Sequence, residues 1–216
     1  MLELLSPLLA PAFVLWASPV SVLELLAFGT SLAMVIGNLR VKVWAWPLAI
    51  VASACYALLF ASSHLYGQAG LQLLFIAVAA WGWWQWLRGT DAHGSRLRIT
   101  RMTNHQRWLA GLATLAAWPV LAVLLARGTD SALPVADALP TVASVTGQIL
   151  LARKKLDNWV VWLMVNVFSV GLFAWQALWL TALLYGIFAV LSWVGLNAWR
   201  TQAARADLGT PTTSHD

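Results

Sequence analysis

Seven apolar runs follow one another along the chain, separated by short polar breaks: residues 21–38, 44–62, 67–87, 107–126, 136–152, 158–175 and 178–199. Each comes close to the roughly 20 residues a helix needs to cross the hydrocarbon core of a bilayer. None alternates polar and apolar side chains, as the strands of a membrane β-barrel would. The stretch from Leu2 to Trp16 is apolar but short, and it contains Pro7 and Pro11. Its first charge is Glu3 rather than the basic cluster that opens a signal peptide. The pattern therefore predicts an all-α, polytopic membrane protein. It has seven transmembrane helices and, in residues 1–19, a short interfacial helix, with an eighth span as the alternative.

The runs repeat. The first ends in Arg40-Val-Lys42, and Trp44 and Trp46 open the second; the fifth ends in Arg153-Lys-Lys155, and Trp159 and Trp162 open the sixth. The third ends Trp81-Gly82-Trp83-Trp84-Gln85-Trp86 and the seventh Trp193-Val-Gly195-Leu-Asn197-Ala-Trp199. Two three-helix units, 20–88 and 131–200, thus flank a segment 89–130 that holds a basic loop and one linker helix. Residues 201–216 form a polar tail, expected to be disordered. An odd helix between the units makes the repeats parallel, related by an axis along the membrane normal. That is a transporter architecture with its site near the midplane between the units.

Composition sharpens this. The chain is 61% hydrophobic and 10% charged, with 15 Trp in 216 residues. A soluble domain has about 25% charged residues, so a water-facing surface is excluded. Of the 13 Lys and Arg, all but Arg127 fall in loops on one side of the seven-span arrangement. The positive-inside rule then places that side and the C-terminus in the cytoplasm and the N-terminus outside, in the inner (plasma) membrane. The net charge of +5 is explained by orientation, and no nucleic-acid partner is expected. Most Trp residues sit at span ends, where the interface enriches them. Cys55, alone in an apolar run, reads as packing.

The spans hold almost no ionisable groups at mid-depth, and His64, His93, His105 and His215 fall in loops or the tail. This argues against an ion pump, a metal or other cofactor, and acid–base catalysis, so the protein is not read as an enzyme. An intramembrane enzyme would have to use Ser53, Ser144, Ser169 or Ser192, none with a His or carboxylate beside it in the sequence. What the spans do contain is amides and aromatics. Gln72, Gln148 and Asn166 are deep, and Tyr56 and Tyr185 lie inside spans. Asn158, Trp162 and Asn166 recur at four-residue spacing on one helical face, with Trp159 beside them. An unpartnered amide in hydrocarbon is costly, so that face should turn inward. Asn38, Gln85 and Asn197, near span ends, read as interhelical hydrogen-bonding groups. Rings that stack and amides that pair suit a small, flat, polar or cationic solute.

Trp44-Ala-Trp46-Pro47, Tyr56, Leu65-Tyr66, Leu71-Gln72 and Gly82-Trp83-Trp84-Gln85-Trp86 in the first half resemble the PnuC family of vitamin transporters. So do Gln148, Arg153-Lys-Lys155, Asn158-Trp159-Val-Val-Trp162, Asn166 and the run from Leu178 to Tyr185 in the second. The best-known members of that family carry nicotinamide riboside. The resemblance implies a 3+1+3 arrangement related to the SWEET sugar transporters. It implies facilitated diffusion by alternating access, and a functional link to a cytoplasmic kinase that traps the substrate. Its substrates include nicotinamide riboside, thiamine, riboflavin and deoxynucleosides. By position, it makes Gln72, Gln148, Asn158, Trp159, Trp162 and Asn166 the binding candidates, with Trp46, Tyr56 and Tyr185 along the path. One departure stands out: many relatives carry an Asn about six residues after the first-half Trp-Pro pair, where this chain reads Ala49-Ile-Val-Ala52-Ser53. Either the second half builds most of the site or the substrate differs. A non-transporting sensor on the same fold, and the oligomeric state, homo-oligomer included, stay open at this level.

Overall fold

The structure is a computed structural model that describes residues 7–8, 10–15, 18–62, 66–90, 94, 97–128, 134–175 and 179–208. Among these are seven long helices: α1 Val22–Leu39, α2 Ala45–Ser62, α3 Tyr66–Arg88, α4 Asn104–Gly128, α5 Pro134–Ala152, α6 Asn158–Trp175 and α7 Trp179–Leu208. They match the seven runs to within a few residues at most boundaries. Five of them, α1, α2, α4, α5 and most of α7, are long and apolar enough to cross a membrane by length and composition.

Two expectations are corrected. Residues 11–15 and 18–21 are not helical: β1 Pro11–Leu15 pairs antiparallel with β2 Ser18–Ser21. Pro11 and Pro19 lack the amide donors a helix needs, and the β-branched Val14 and Val20 suit strands. At the other end, residues 201–208 are not a loose tail but a continuation of α7. Ala203, Ala204 and Leu208 are good helix formers and Arg205 faces the negative end of the helix dipole. Trp16, His64, His93, His215 and residues 209–216 lie outside the described residues.

α1 packs on α2 and α2 on α3; α5 packs on α6 and α6 on α7. The units meet through α3 against α5 and α1 against α7, while α4 packs along α5. Across a bilayer no hydrophobic effect draws helices together, so close approach depends on small residues. The side chains of Ala45 and Ala152 are fully buried, and Ala49, Ala52 and Ala79 nearly so.

The repeat is visible atom by atom, always at a separation of 113 positions. A Cβ added at Gly82 would run into the Trp46 ring, and one at Gly195 into the Trp159 ring. Trp46 meets Trp86 edge-on at 5.5 Å, and Trp159 meets Trp199 edge-on at 5.7 Å. Trp86 Nε1 donates to the Leu151 carbonyl at 3.1 Å, and Trp199 Nε1 to the Asn38 carbonyl at 2.9 Å. Leu151 and Asn38 are themselves 113 apart, so each unit's last Trp grips the other unit's first helix. Both turns that follow those first helices place a non-glycine residue at positive φ, Val41 at 53° and Lys154 at 50°. In both, the next amide reaches back five residues, Lys42 to Gly37 and Lys155 to Leu150, each at 2.9 Å. This is a helix C-terminal motif of Schellman type used twice. The four indoles, with Trp86 and Trp199 at 6.2 Å, form one layer that spans both units at the end bearing the basic loops.

The basic loop does more than carry charge. Leu156 N–H donates to the Thr100 carbonyl at 2.8 Å and Thr100 N–H to the Lys154 carbonyl at 3.1 Å. Met102 N–H donates to Asp157 at 2.7 Å, and Arg107 pairs with the same carboxylate at 2.8 Å. Lys154 donates to the Leu97 carbonyl and lies 5.0 Å over the Trp86 ring. Residues 97–107 are thus a strap across the α5–α6 turn.

Candidate functional site

A cavity of about 960 Å³ lies between the two units. That is at the upper end of the usual range for small-molecule sites, roughly 300–1,000 Å³. Its wall draws on α1, α2, α3, α5, α6 and α7, and α4 contributes none of its described lining. At the basic end its lining residues Asn38, Leu151 and Trp159 are buried, against the layer of indoles. At the opposite end it reaches Asp137 in the first turn of α5 and Trp175, 72% exposed, at the end of α6. The cavity is therefore sealed beside the basic loops and reaches the surface away from them.

Six of the nine residues singled out from the sequence line this cavity: Gln72 from α3, Gln148 from α5, Trp159, Trp162 and Asn166 from α6, and Tyr185 from α7. On α6 the cavity face runs Trp159, Trp162, Asn166, Ser169, at the three- and four-residue spacing of one helical face. Trp162 is seated by Gly147, where a Cβ would come within 3.2 Å of its ring. Trp159 is held from behind by Gly195 and Trp199. Asn166 is buried and donates to Ser192 Oγ at 3.1 Å, while Ser192 donates on to the Phe188 carbonyl at 2.8 Å. Asn166 and Gln148, both buried, line the cavity as neutral polar residues.

Three residues fall elsewhere. Asn158 is fully buried in the α5–α6 turn, where Nδ2 donates to the Lys155 carbonyl at 2.7 Å. It precedes Trp159 by one residue, a rotation of about 100° on a helix, which takes it off the cavity face. Trp46 is a core residue, 1% exposed and locked between Gly82 and Trp86. Tyr56 stays behind the wall: it stacks on Phe60 at 6.1 Å, and Phe60 lines the cavity.

Sequence reasoning missed others. Asn38, read as an interhelical group, lines the cavity. Its Nδ2 donates to the Met34 sulfur at 3.1 Å and its buried Oδ1 has no partner among the described residues. Asp137, Thr141 and Ser144 also line it. With Gln148 they recur at i, i+4, i+7 and i+11, a signal legible in the sequence. Met34, Phe75 and Phe188 complete an apolar wall that composition alone could not separate from lipid-facing positions.

Two repeated three-helix units around a central cavity, in a chain this apolar, define a multi-pass membrane transporter. The chain matches the family model described as nicotinamide mononucleotide transporter over residues 21–201. It is 28% identical over 172 residues to the nicotinamide riboside transporter PnuC of Escherichia coli, covering 68% of this chain and 72% of that protein. It is 29% identical over 170 residues to the riboflavin/roseoflavin transporter RibM of Streptomyces davaonensis, covering 77% and 78%. The crystal structure of the vitamin B3 transporter PnuC superposes with a TM-score of 0.68 at 23% identity, over 85% of this chain and 82% of that one. This protein belongs to the nicotinamide mononucleotide transporter family, the family of the PnuC proteins.

Proposed function

We propose that this protein imports nicotinamide riboside by facilitated diffusion. The observation that carries the proposal is the cavity wall itself: two indoles, Trp159 and Trp162, beside three amides, Gln72, Gln148 and Asn166, between the units of a family of vitamin transporters. The rings stack on the base, worth about 1–3 kcal/mol per ring in comparable sites. The amides pair with the carboxamide or the ribose hydroxyls, and Tyr185 lines the path. Transport follows from the two units rocking about this point in alternating access. The positive-inside rule makes the basic end cytoplasmic, with the N-terminus outside and α7 ending inside. The cavity then faces outward. With no carboxylate at mid-depth to couple an ion, net uptake relies on a cytoplasmic kinase that phosphorylates and traps the solute.

Trp162→Ala and Asn166→Ala should each weaken binding of nicotinamide riboside to purified protein, Trp162→Ala by roughly 10–100-fold, with the melting temperature little changed. Unchanged affinity in both variants would sink this site. The similarity to a riboflavin transporter supports a second reading, riboflavin uptake through the same cavity. A thermal-shift comparison of nicotinamide riboside, thiamine, riboflavin and nucleosides separates the two, because the ligand that binds the folded state raises its stability.

A further inference from the structure

The strap has two sides. Leu97 and Ile99 are half-buried, with Ile99 packed against the indole core, while Arg98, Thr100 and Arg101 are exposed. Thr100 bridges in parallel to Lys155, so the strap runs beside the α5–α6 turn and brings Arg98 alongside the exposed Arg153. Lys155 Nζ donates to Thr100 Oγ1 at 3.0 Å, and the Arg153 guanidinium lies 5.8 Å over the Trp81 ring. Arg107 is paired with Asp157, but Arg98, Arg101, Arg153 and Lys155 form no ion pair among the described residues. Four cations are thus gathered on one surface by a hydrogen-bonded backbone. Orientation in the membrane asks for charge on this side, but not for charge fixed in place. The first unit shows the difference. Its equivalent turn carries Arg40 and Lys42, 113 positions before Arg153 and Lys155, with no strap laid across it among the described residues.

Directly after the strap, the first turns of α4 leave a shallow groove of about 380 Å³, lined by Asn104, Arg107, Trp108 and Gly111. Trp108 is 73% exposed, and a Cβ added at Gly111 would meet nothing within 4 Å. Leu109, Leu112 and Leu115 continue α4 as an exposed apolar face. An exposed Trp between exposed cations and exposed Leu marks the level of the lipid headgroups. The cations therefore stand at the height of the lipid phosphates, with the groove running from them toward the hydrocarbon.

We propose that the strap and the start of α4 form a binding site for an anionic phospholipid. Its phosphate lies against Arg98 and Arg101, with Arg153 and Lys155 beside them, and its acyl chain passes Trp108 along the gap at Gly111. A basic pocket at the membrane surface suits such a headgroup. A soluble phosphate would meet the same cations but gain nothing from Trp108 or the groove, so a lipid fits the whole surface. The site lies outside the cavity and stands whichever solute the protein carries. A lipid held there braces the strap against the α5–α6 turn from outside.

The test uses the full chain in neutral detergent, titrated with phosphatidylglycerol, phosphatidylcholine or glycerol 3-phosphate, with bound molecules counted by native mass spectrometry. Phosphatidylglycerol should bind at least tenfold more tightly than phosphatidylcholine at low salt, and the preference should shrink as salt rises. Arg98→Gln combined with Arg101→Gln should weaken phosphatidylglycerol about 30-fold, at roughly fivefold per charge. Arg40→Gln combined with Lys42→Gln removes the same charge from the first unit and should leave binding within about twofold of wild type. In nanodiscs, phosphatidylglycerol should slow hydrogen exchange in residues 97–103 relative to phosphatidylcholine and leave the α1–α2 turn unchanged. Equal losses in the two double variants reduce the effect to diffuse attraction and overturn the site. Displacement of the lipid by an equal concentration of glycerol 3-phosphate overturns the lipid as its occupant. All four substitutions are at exposed side chains, and the wild type decides without them: equal binding of the two lipids overturns the proposal.

Discussion

Where the second unit carries Trp162, Asn166 and Gln148, the first, 113 residues earlier, carries Ala49, Ser53 and Val35. Of α2 only Phe60 reaches the cavity, whereas α6 lends it a whole face. Yet the frame around these positions is the same twice: Trp46 in the hollow of Gly82, Trp159 in that of Gly195, and an indole N–H from each unit on a carbonyl of the other. The comparison shows which positions are free to diverge. A Trp packed against a glycine admits no other pairing without a clash. A residue facing an open cavity has no packing partner to satisfy, so the ligand alone selects it. The departure read at Ala49 to Ser53 has its structural meaning here: the second unit supplies the stacking rings with Asn166 and Gln148, and the first supplies mainly room and two amides, Gln72 and Asn38.

The strongest way to break this picture is to fill the two hollows. Gly82→Ala and Gly195→Ala should each destabilise by about 1–3 kcal/mol through overpacking, read as matching losses in melting temperature. They should part in binding. The Gly195 variant moves Trp159, a cavity wall, and should weaken ligand binding at least several-fold. The Gly82 variant moves Trp46, a core residue, and should leave affinity nearly unchanged. Equal effects on affinity would mean that the site does not lean on the second unit.

A second pair of variants probes what the units share. Trp86→Phe and Trp199→Phe keep a ring in place but take one of two donors from the Leu151 and Asn38 carbonyls, which keep the Lys154 and Val41 amides of the turns. Losing one hydrogen bond from a carbonyl that keeps another costs about 0.5–1.5 kcal/mol. The two losses should be similar in thermal unfolding if the frame is symmetric. A loss confined to one variant would show that only one crossing holds the basic end closed.

The frame was largely legible in the sequence and the site only in part. Helix positions followed from hydropathy, because a bilayer forces every backbone group into a helical hydrogen bond and demands a fixed length. The repeat could be read from the Arg-Lys steps and Trp clusters, but its register could not: Trp46 and Trp159 read as ligand-facing residues, and only the structure shows Gly82 and Gly195 beneath them. Asn158 misled because four-residue spacing drifts by about 40° per step on a helix, so the face that begins at Trp159 excludes it. Asp137 and Asn38 were passed over for a shared reason. Near a span end, a polar side chain is explained by the interface, and only the three-dimensional cavity shows that one such end is turned inward. The N-terminal strands and the extension of α7 were missed because apolar or polar bias alone cannot distinguish a hairpin from an interfacial helix, or a water-facing helix from a coil.

The smallest expected effects come from the strap, which engages one unit and not the other. At the position of Asp157 in the second unit, the first carries Trp44, 46% exposed and without such a clamp among the described residues. Asp157 takes both the Met102 amide and Arg107, but Arg107 is half exposed, so the ion pair is screened and worth about 0–1 kcal/mol. Arg107→Ala should therefore shift the melting temperature barely at all. Asp157→Ala should cost somewhat more, about 1 kcal/mol, since it also leaves the Met102 N–H without its acceptor. The same ordering should appear in hydrogen exchange: residues 97–103 gain exchange in Asp157→Ala but not in Arg107→Ala, and the α1–α2 turn is unaffected by either. Equal exchange in both turns from the outset would remove the asymmetry. The strap would then be a resting place for the linker and not a clamp that keeps the α5–α6 turn, and Trp159 behind it, fixed beneath the cavity.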